Sequence, residues 1–227
     1  LVFKMEFMSK TRMTAAEIHE DLRIKLVTAT FEQGSKLKPA ELCKGYGCSA
    51  NALRELLFRL STVGLVRFED QRGFRVPEAS MQRQHDLTTF RIMLEQQGVS
   101  LSIANGGIEW EAQLSAAHYK LSHIESQAGN WQSMKPVLIP WCAAEAEFHL
   151  TLVSASQSPF LIESYNRIYD QFRQQLVTRE TDYGYYPGNI AEHQLILEAA
   201  LDRDTERCCR HIHDHLVRNM VERPKTR

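Results

Sequence analysis

The sequence predicts a mainly α-helical chain in two parts: a small N-terminal unit of helices closed by a β-hairpin, and a longer C-terminal antiparallel helical bundle. Three observations carry this. Apolar residues recur every three or four positions over most of the 227 residues. The period changes to two in one short stretch, where GLVRF and GFRVP flank the polar turn EDQR. Short breaks such as ANGG, KPVLIP, SQSP and YYPGN separate the later helical segments, and short connections make neighbouring helices antiparallel.

Taken in order, Ile18, Leu22 and Leu26 form one stripe, so a helix is expected from Thr14 to about Phe31. EQGSKL breaks it at Gly34. A second short helix is expected over Leu37 to Lys44, the turn GYGCS follows, and a third runs from Ala50 to Val63 with Leu53, Leu56, Leu57 and Leu60 facing inward. The hairpin comes next. Helix, helix, turn, helix, hairpin is the order of a winged helix-turn-helix, assigned here to residues 10–77. The stretch around PEASMQR reads as a linker, assigned to residues 78–84, and residues 85–222 as an all-α domain. Its helices are marked by Leu87 to Ala104, by Trp110, Leu114, Ala117, Leu121 and Ile124, by Ala143 to Ser156, by Ile162, Tyr165, Tyr169, Phe172 and Leu176, and by a final helical hairpin, EHQLILEAALDRDTERCCRHIHDHL.

Composition sets the broad class. With 43% hydrophobic residues the chain can fill its cores, and no apolar run approaches the roughly eighteen residues that span a bilayer. The opening LVFKMEFMSK lacks the apolar core of a secretory signal, so a cytoplasmic location is expected, with Met5 and Met8 as candidate starts. Five cysteines without a CxxC pair read as reduced thiols. Residues 1–80 carry 13 Lys and Arg against 10 Asp and Glu, whereas the remainder carries 14 against 18. A mildly basic front on an acidic back suits a nucleic-acid module joined to an effector module.

In a helix-turn-helix the second helix of the pair enters the major groove. Ser49, Asn51 and Arg54 are therefore the candidate DNA contacts. Arg54 has the chemistry for guanine or phosphate, Asn51 for adenine, and Ser49 for a helix cap or a phosphate donor. The wing offers Arg72 and Gly73. Arg54 taken alone reads equally as a surface ion pair with Glu55 or Glu41.

ELCKGYGCSANALRELLFRLSTVGLV followed by GFRV resembles the N-terminal domain of GntR-type transcriptional regulators, and the helical remainder resembles the FCD effector domain of the FadR subfamily. GGIEWEAQL and the whole layout are similar to the carbon-starvation-induced regulators within it. The resemblance implies a homodimer that binds a double-stranded DNA operator and responds to a ligand, with residues 85–222 as the domain for effector binding and dimerisation. Where the family commonly has Arg after the Ser of its recognition turn, this chain has Ala50; Arg54 is retained.

Four of the nine histidines fall within Glu192 to Leu216. On an earlier helix Glu145 and His149 stand at i and i+4, one turn apart beside an apolar stripe. Such a pair describes half of a metal site, and an isolated one more often describes a hydrogen bond within a helix. On the last helix, at about 100° per residue, His215 lies nearer Ile212 than His213 or His211 does, a weak preference that leaves His211 open. The resemblance implies the choice. FCD domains that bind metal take a carboxylate or His, often Asp, four residues before the His of an FH pair, a His opening the penultimate helix and a His in the last. Those positions are Glu145, His149, His193 and His215, and Zn, Ni or a similar divalent transition metal is the implied cofactor. Arg91 matches the Arg of the first effector helix and would pair with a small carboxylic or dicarboxylic acid; otherwise it is an i,i+4 salt bridge with Glu95. Tyr165, Asn166, Tyr169 and Arg173 are further candidates for that cavity. The leading expectation is a ligand-responsive regulator and not an enzyme. A metal-dependent hydrolase, and a regulator with a metal-free structural pocket, are the alternatives.

Overall fold

The computed structural model describes residues 13–128, 135–179 and 186–220. Met5, Met8 and the outer bounds assigned to the two domains, residues 10 and 222, lie outside the described residues. Mostly helical, the chain forms a head with a small sheet and a helical bundle, as its periodicity predicts.

The head starts with α1 (Ala15–Val27), opened by a capping box in which Thr14 accepts from the Glu17 N–H and Glu17 accepts from the Thr14 N–H. This helix stops four residues before the expected end. The Thr28 hydroxyl donates back to the Ile24 carbonyl at 2.7 Å, and Ala29 turns left-handed at φ 53°. Next comes a strand that the sequence did not announce, β1 (Lys36–Leu37), which pairs antiparallel with β3. Two residues are too few to show a period of two, and the expected helix at Leu37 begins instead with Pro39 at its first turn, α2 (Pro39–Tyr46). Gly47, at φ 64°, ends α2 in a left-handed cap. Ser49 then caps α3 (Ala50–Thr62), accepting from the Ala52 N–H at 3.1 Å. β2 (Arg67–Glu69) and β3 (Gly73–Arg75) complete a three-stranded sheet in the order β1-β3-β2. The inward leucines of α3 pack with Ile18, Leu22, Leu26, Leu65 and Phe74 in one core.

The bundle contains α4 (Met81–Asn105), α5 (Ile108–Ala128), α6 (Leu138–Ser154, after a short 3-10 turn), α7 (Pro159–Arg179), α8 (Asn189–Leu201) and α9 (Thr205–Val217). Ser80 caps α4, so half of the expected linker is helix. KPVLIP likewise carries the first turn of α6. Among the described residues, no helix is long and apolar enough to cross a membrane. Trp141, Phe148, Leu114, Leu121, Ile196 and Ile212 anchor the main core.

One helix departs from the apolar rule. Along its buried side α4 carries Gln84, Thr88, Arg91, Glu95, Gly98 and Ser102 at three- and four-residue spacing. Gly98 is a close approach: a Cβ there would lie 2.8 Å from Val153 of α6. A helix that buries a polar stripe against its neighbours walls a polar chamber, and that chamber is where the histidines meet.

Candidate functional site

His149 on α6, His193 on α8 and His215 on α9 converge in the bundle interior, each at most 4% exposed. Each offers a ring nitrogen, and these atoms all lie within 4.8 Å of one another. The rings sit 4.7–5.3 Å apart between centroids. Three helices, the last two of them consecutive, thus meet at one point.

The other nitrogen of each ring faces a carboxylate. His149 Nδ1 is 2.5 Å from Glu95 Oε1, His215 Nδ1 is 2.7 Å from Glu192 Oε2, and His193 Nδ1 is 3.4 Å from Glu125 Oε2. An ionised carboxylate only accepts, so an Nδ1 that donates to one leaves the lone pair of a neutral ring on Nε2; His215 Nδ1 also lies 3.2 Å from Arg218 Nη2. Burial disfavours the charged form of His149 and His215. It pushes His149 below the usual imidazole range and His215 down to about 3, against the pull of their carboxylates. Burial alone would raise the Glu95 carboxyl, but the His149 ring and the permanent charge of Arg91 outweigh it and hold it at about 2. His149 Nε2 and His193 Nε2 are buried with no hydrogen-bond partner. Leaving two such acceptors dry is costly unless something occupies the point between them. Imidazoles that converge through one ring nitrogen while the other faces a carboxylate are the donor set that a divalent transition metal takes.

Glu145 reaches the same chamber but faces differently. Its Oε2 accepts from the Tyr169 hydroxyl at 2.9 Å and lies 3.3 Å from Arg173 Nη1, while its Oε1 is 4.0 Å from His149 Nε2. The hydrogen bond within α6 that an i,i+4 pair suggests is therefore not made; Glu95 of α4 takes its place.

Arg91 is 1% exposed and its guanidinium lies between the rings of Tyr169 and Phe172, 4.8 and 4.6 Å from their centroids. The salt bridge to Glu95 is present at 3.2 Å. It is wholly buried, so the small worth of a surface i,i+4 pair does not describe it. Arg91 Nη2 has no hydrogen-bond partner and stands 4.0 Å from Glu145 Oε1. Tyr165, whose hydroxyl donates to Glu95 Oε2 at 3.0 Å, and Tyr169 and Arg173 also face the chamber. Asn166 does not. One residue past Tyr165 on a helix is about 100° round, and Asn166 is exposed on the outer surface of α7.

Sequence reasoning missed the three carboxylates that orient the histidines. Glu125 had a signal, because it continues the buried stripe of Trp110, Leu114, Ala117 and Leu121 by one more turn and is itself fully buried. Glu95 was seen only as a partner for Arg91, and Glu192 gave no sign. On α9, His215 is buried and His213 is exposed beside Asp214.

On the head, Ser49, Asn51 and Arg54 line the exposed start of α3, and Arg72 is exposed at the wing beside Gly73, whose φ of 80° shapes the turn. Arg54 has no ion-pair partner among the described residues, and Glu41 pairs instead with Lys38 at 2.7 Å. Arg72 stands 3.6 Å from Glu69, an exposed and weak pair. Arg54→Ala should weaken operator binding by about 1–3 kcal/mol if it reads a base, or reduce the salt slope by about one if it holds a phosphate. Fluorescence anisotropy over a salt series separates the two, and an unchanged affinity and slope would remove Arg54 from the interface.

Comparison with known proteins places both halves. Residues 14–76 match the model of bacterial regulatory proteins of the gntR family, and residues 86–218 match the FCD domain. The chain is 32% identical over 199 residues to an uncharacterized HTH-type transcriptional regulator, BphR, of Paraburkholderia xenovorans (strain LB400), covering 86% of this chain and 79% of that one. It is 28% identical over 209 residues to the HTH-type transcriptional repressor GlaR of Escherichia coli (strain K12), covering 90% and 93%. The solved structure of E. coli McbR/YncC has a TM-score of 0.76 at 20% identity, covering 91% of this chain and 96% of that one.

Proposed function

Because the chain belongs to the gntR family of bacterial regulatory proteins and carries an FCD domain, and is thus a DNA-binding transcriptional regulator and not an enzyme, we propose that its bundle senses a small carboxylic acid through a bound divalent metal. The observation that carries the reading is the trio His149, His193 and His215, converging within 4.8 Å with each Nδ1 held by a carboxylate. These three are the ligands, and Glu145 is the nearest carboxylate for a fourth. Zinc or nickel suits such nitrogen donors. The metal would supply open coordination positions to an acid, while Arg91 Nη2 is the buried donor that lacks an acceptor. Tyr165, Tyr169 and Arg173 close the wall around it.

Ser49, Asn51, Arg54, Arg72 and Gly73 are the proposed DNA contacts, and two symmetric heads would read two half-sites. The homodimer is supported by α4, which leaves Phe90 and Met93 exposed one turn apart. The hydrolase alternative falls with the family. A metal-free structural pocket is disfavoured by the orphaned Nε2 atoms, which a purely structural core would have satisfied or replaced.

A thermal-shift screen of small carboxylic acids, with and without chelator, tests the sensor. An acid that binds only the folded chain raises its melting temperature by mass action, and the rise should vanish with chelator and shrink in Arg91→Ala. A shift that survives both treatments would place the acid elsewhere.

A further inference from the structure

One helix serves both halves of the molecule. On its inner side α7 sends Tyr165, Tyr169 and Arg173 into the histidine chamber. On its outer side it grips the head. Gln171 Nε2 donates to the Val63 carbonyl at 3.0 Å, Gln174 Nε2 to the Leu65 carbonyl at 2.9 Å, and Asp170 takes Arg23 of α1 at 2.7 Å. The two glutamines bracket Gly64, whose φ of 79° turns the chain from α3 into β2. The approach is tight, since a Cβ at Gly64 would lie 2.8 Å from the Gln171 amide. Arg83, near the start of α4, joins by donating to Gln171 Oε1 at 2.8 Å and to the Gly64 carbonyl at 3.2 Å.

We propose that α7 is the relay between chamber and DNA head, with Gln171 and Gln174 as the positioning residues that hold the recognition helix by the backbone of its exit turn. The proposal rests on the reading of the chamber as a ligand site and adds how its state reaches DNA. The switch inside the chamber is Glu145. Its carboxylate holds Tyr169 and Arg173 of α7, and its other oxygen stands 4.0 Å from His149 Nε2. A Glu145 drawn to a ligand among the histidines is withdrawn from α7. The two states of Glu145 therefore differ in what anchors α7, which is the differential interaction that coupling requires. Backbone carbonyls gripped by side-chain amides transmit such a shift to α3 with little slack where the route is packed, as it is at Tyr169, Arg173 and Gln174, which are buried, while Gln171 is half-buried.

The test uses the full chain, an operator obtained by selection from random DNA, and zinc as the probe. Metal content and operator Kd are measured with zinc and with chelator, for wild type and for Gln171→Ala/Gln174→Ala. Wild type should bind zinc and change its operator Kd by roughly tenfold, and the double variant should bind the same zinc with less than about a twofold change. A double variant that responds as wild type does, or a wild type that takes up zinc with no change in Kd, overturns the relay. If the double variant fails to fold, Gln171→Ala alone is judged by the same outcomes. A wild type that takes up no zinc sinks the metal reading, and the relay is then decided by Tyr169→Phe. That change removes one of the two α7 groups that Glu145 holds, without any metal, and it should alter operator Kd in the wild-type background but not in the double variant; an equal effect in both overturns the proposal.

Discussion

Glu95→Ala should lower the stability of the folded chain by about 3–5 kcal/mol, because it strips a buried guanidinium of its nearest counter-charge. Arg91 is 1% exposed and Glu95 0%, so neither can turn to water. The same carboxylate accepts from the Tyr165 hydroxyl and faces His149 Nδ1, and both would be left without it. Glu145, at 4.0 Å, is too far from Arg91 to take over as a hydrogen-bond partner. Urea unfolding in the presence of chelator measures the loss without a metal contribution. Arg91→Leu/Glu95→Leu should recover part of it, since an apolar pair leaves no unpaired charge. A single variant that loses less than about 1 kcal/mol would mean that water reaches the chamber.

In protein purified without a polyhistidine tag, His149→Ala, His193→Ala and His215→Ala should each lose most of the metal that wild type carries, and His213→Ala should lose none. Each of the first three removes one of the converging nitrogens, whereas His213 is exposed beside Asp214. At a free metal concentration a hundredfold above Kd, binding adds about 2.7 kcal/mol, so chelator should lower the wild-type melting temperature by roughly 5–10 °C. That drop should be missing from the three ligand variants. Equal metal content in all four variants, measured by elemental analysis, would remove the histidine trio as the site.

The order of helices and wing in the head was legible, with helix bounds off by up to four residues. A stripe at three- and four-residue spacing, a serine cap and a two-residue period are local signals, and α3 with its inward leucines and the wing follow from them. Two local details escaped. β1 is too short to carry a period, and the left-handed turn at Ala29 shortened α1 without a glycine to mark it. In the bundle the helices were legible, but their chemistry was so only in part. The candidate trio rested on a resemblance, since the wheel of α9 alone left His211 open. Asn166, a further candidate for the effector cavity, is exposed about 100° round the helix from Tyr165, an orientation that helix periodicity leaves open until the neighbours of α7 are in place.

By itself, then, the sequence determined the order of the helices and the wing, the apolar face of most of those helices, the residues at the exposed start of α3 and the family to which the whole belongs. Tertiary structure alone decided which buried faces meet. Glu95, Glu125 and Glu192 stand 54, 68 and 23 residues from the histidines they orient, and no periodicity within one helix encodes a distance to another. The polar stripe of α4 makes the same point. Amphipathic patterning reads burial as apolar, so a helix that buries Arg91 and Glu95 against neighbouring side chains is recognised only when those neighbours are in place to satisfy them. Packing likewise sets α7 against the head, because the carbonyls that Gln171 and Gln174 hold are backbone atoms, common to every residue and silent in any sequence.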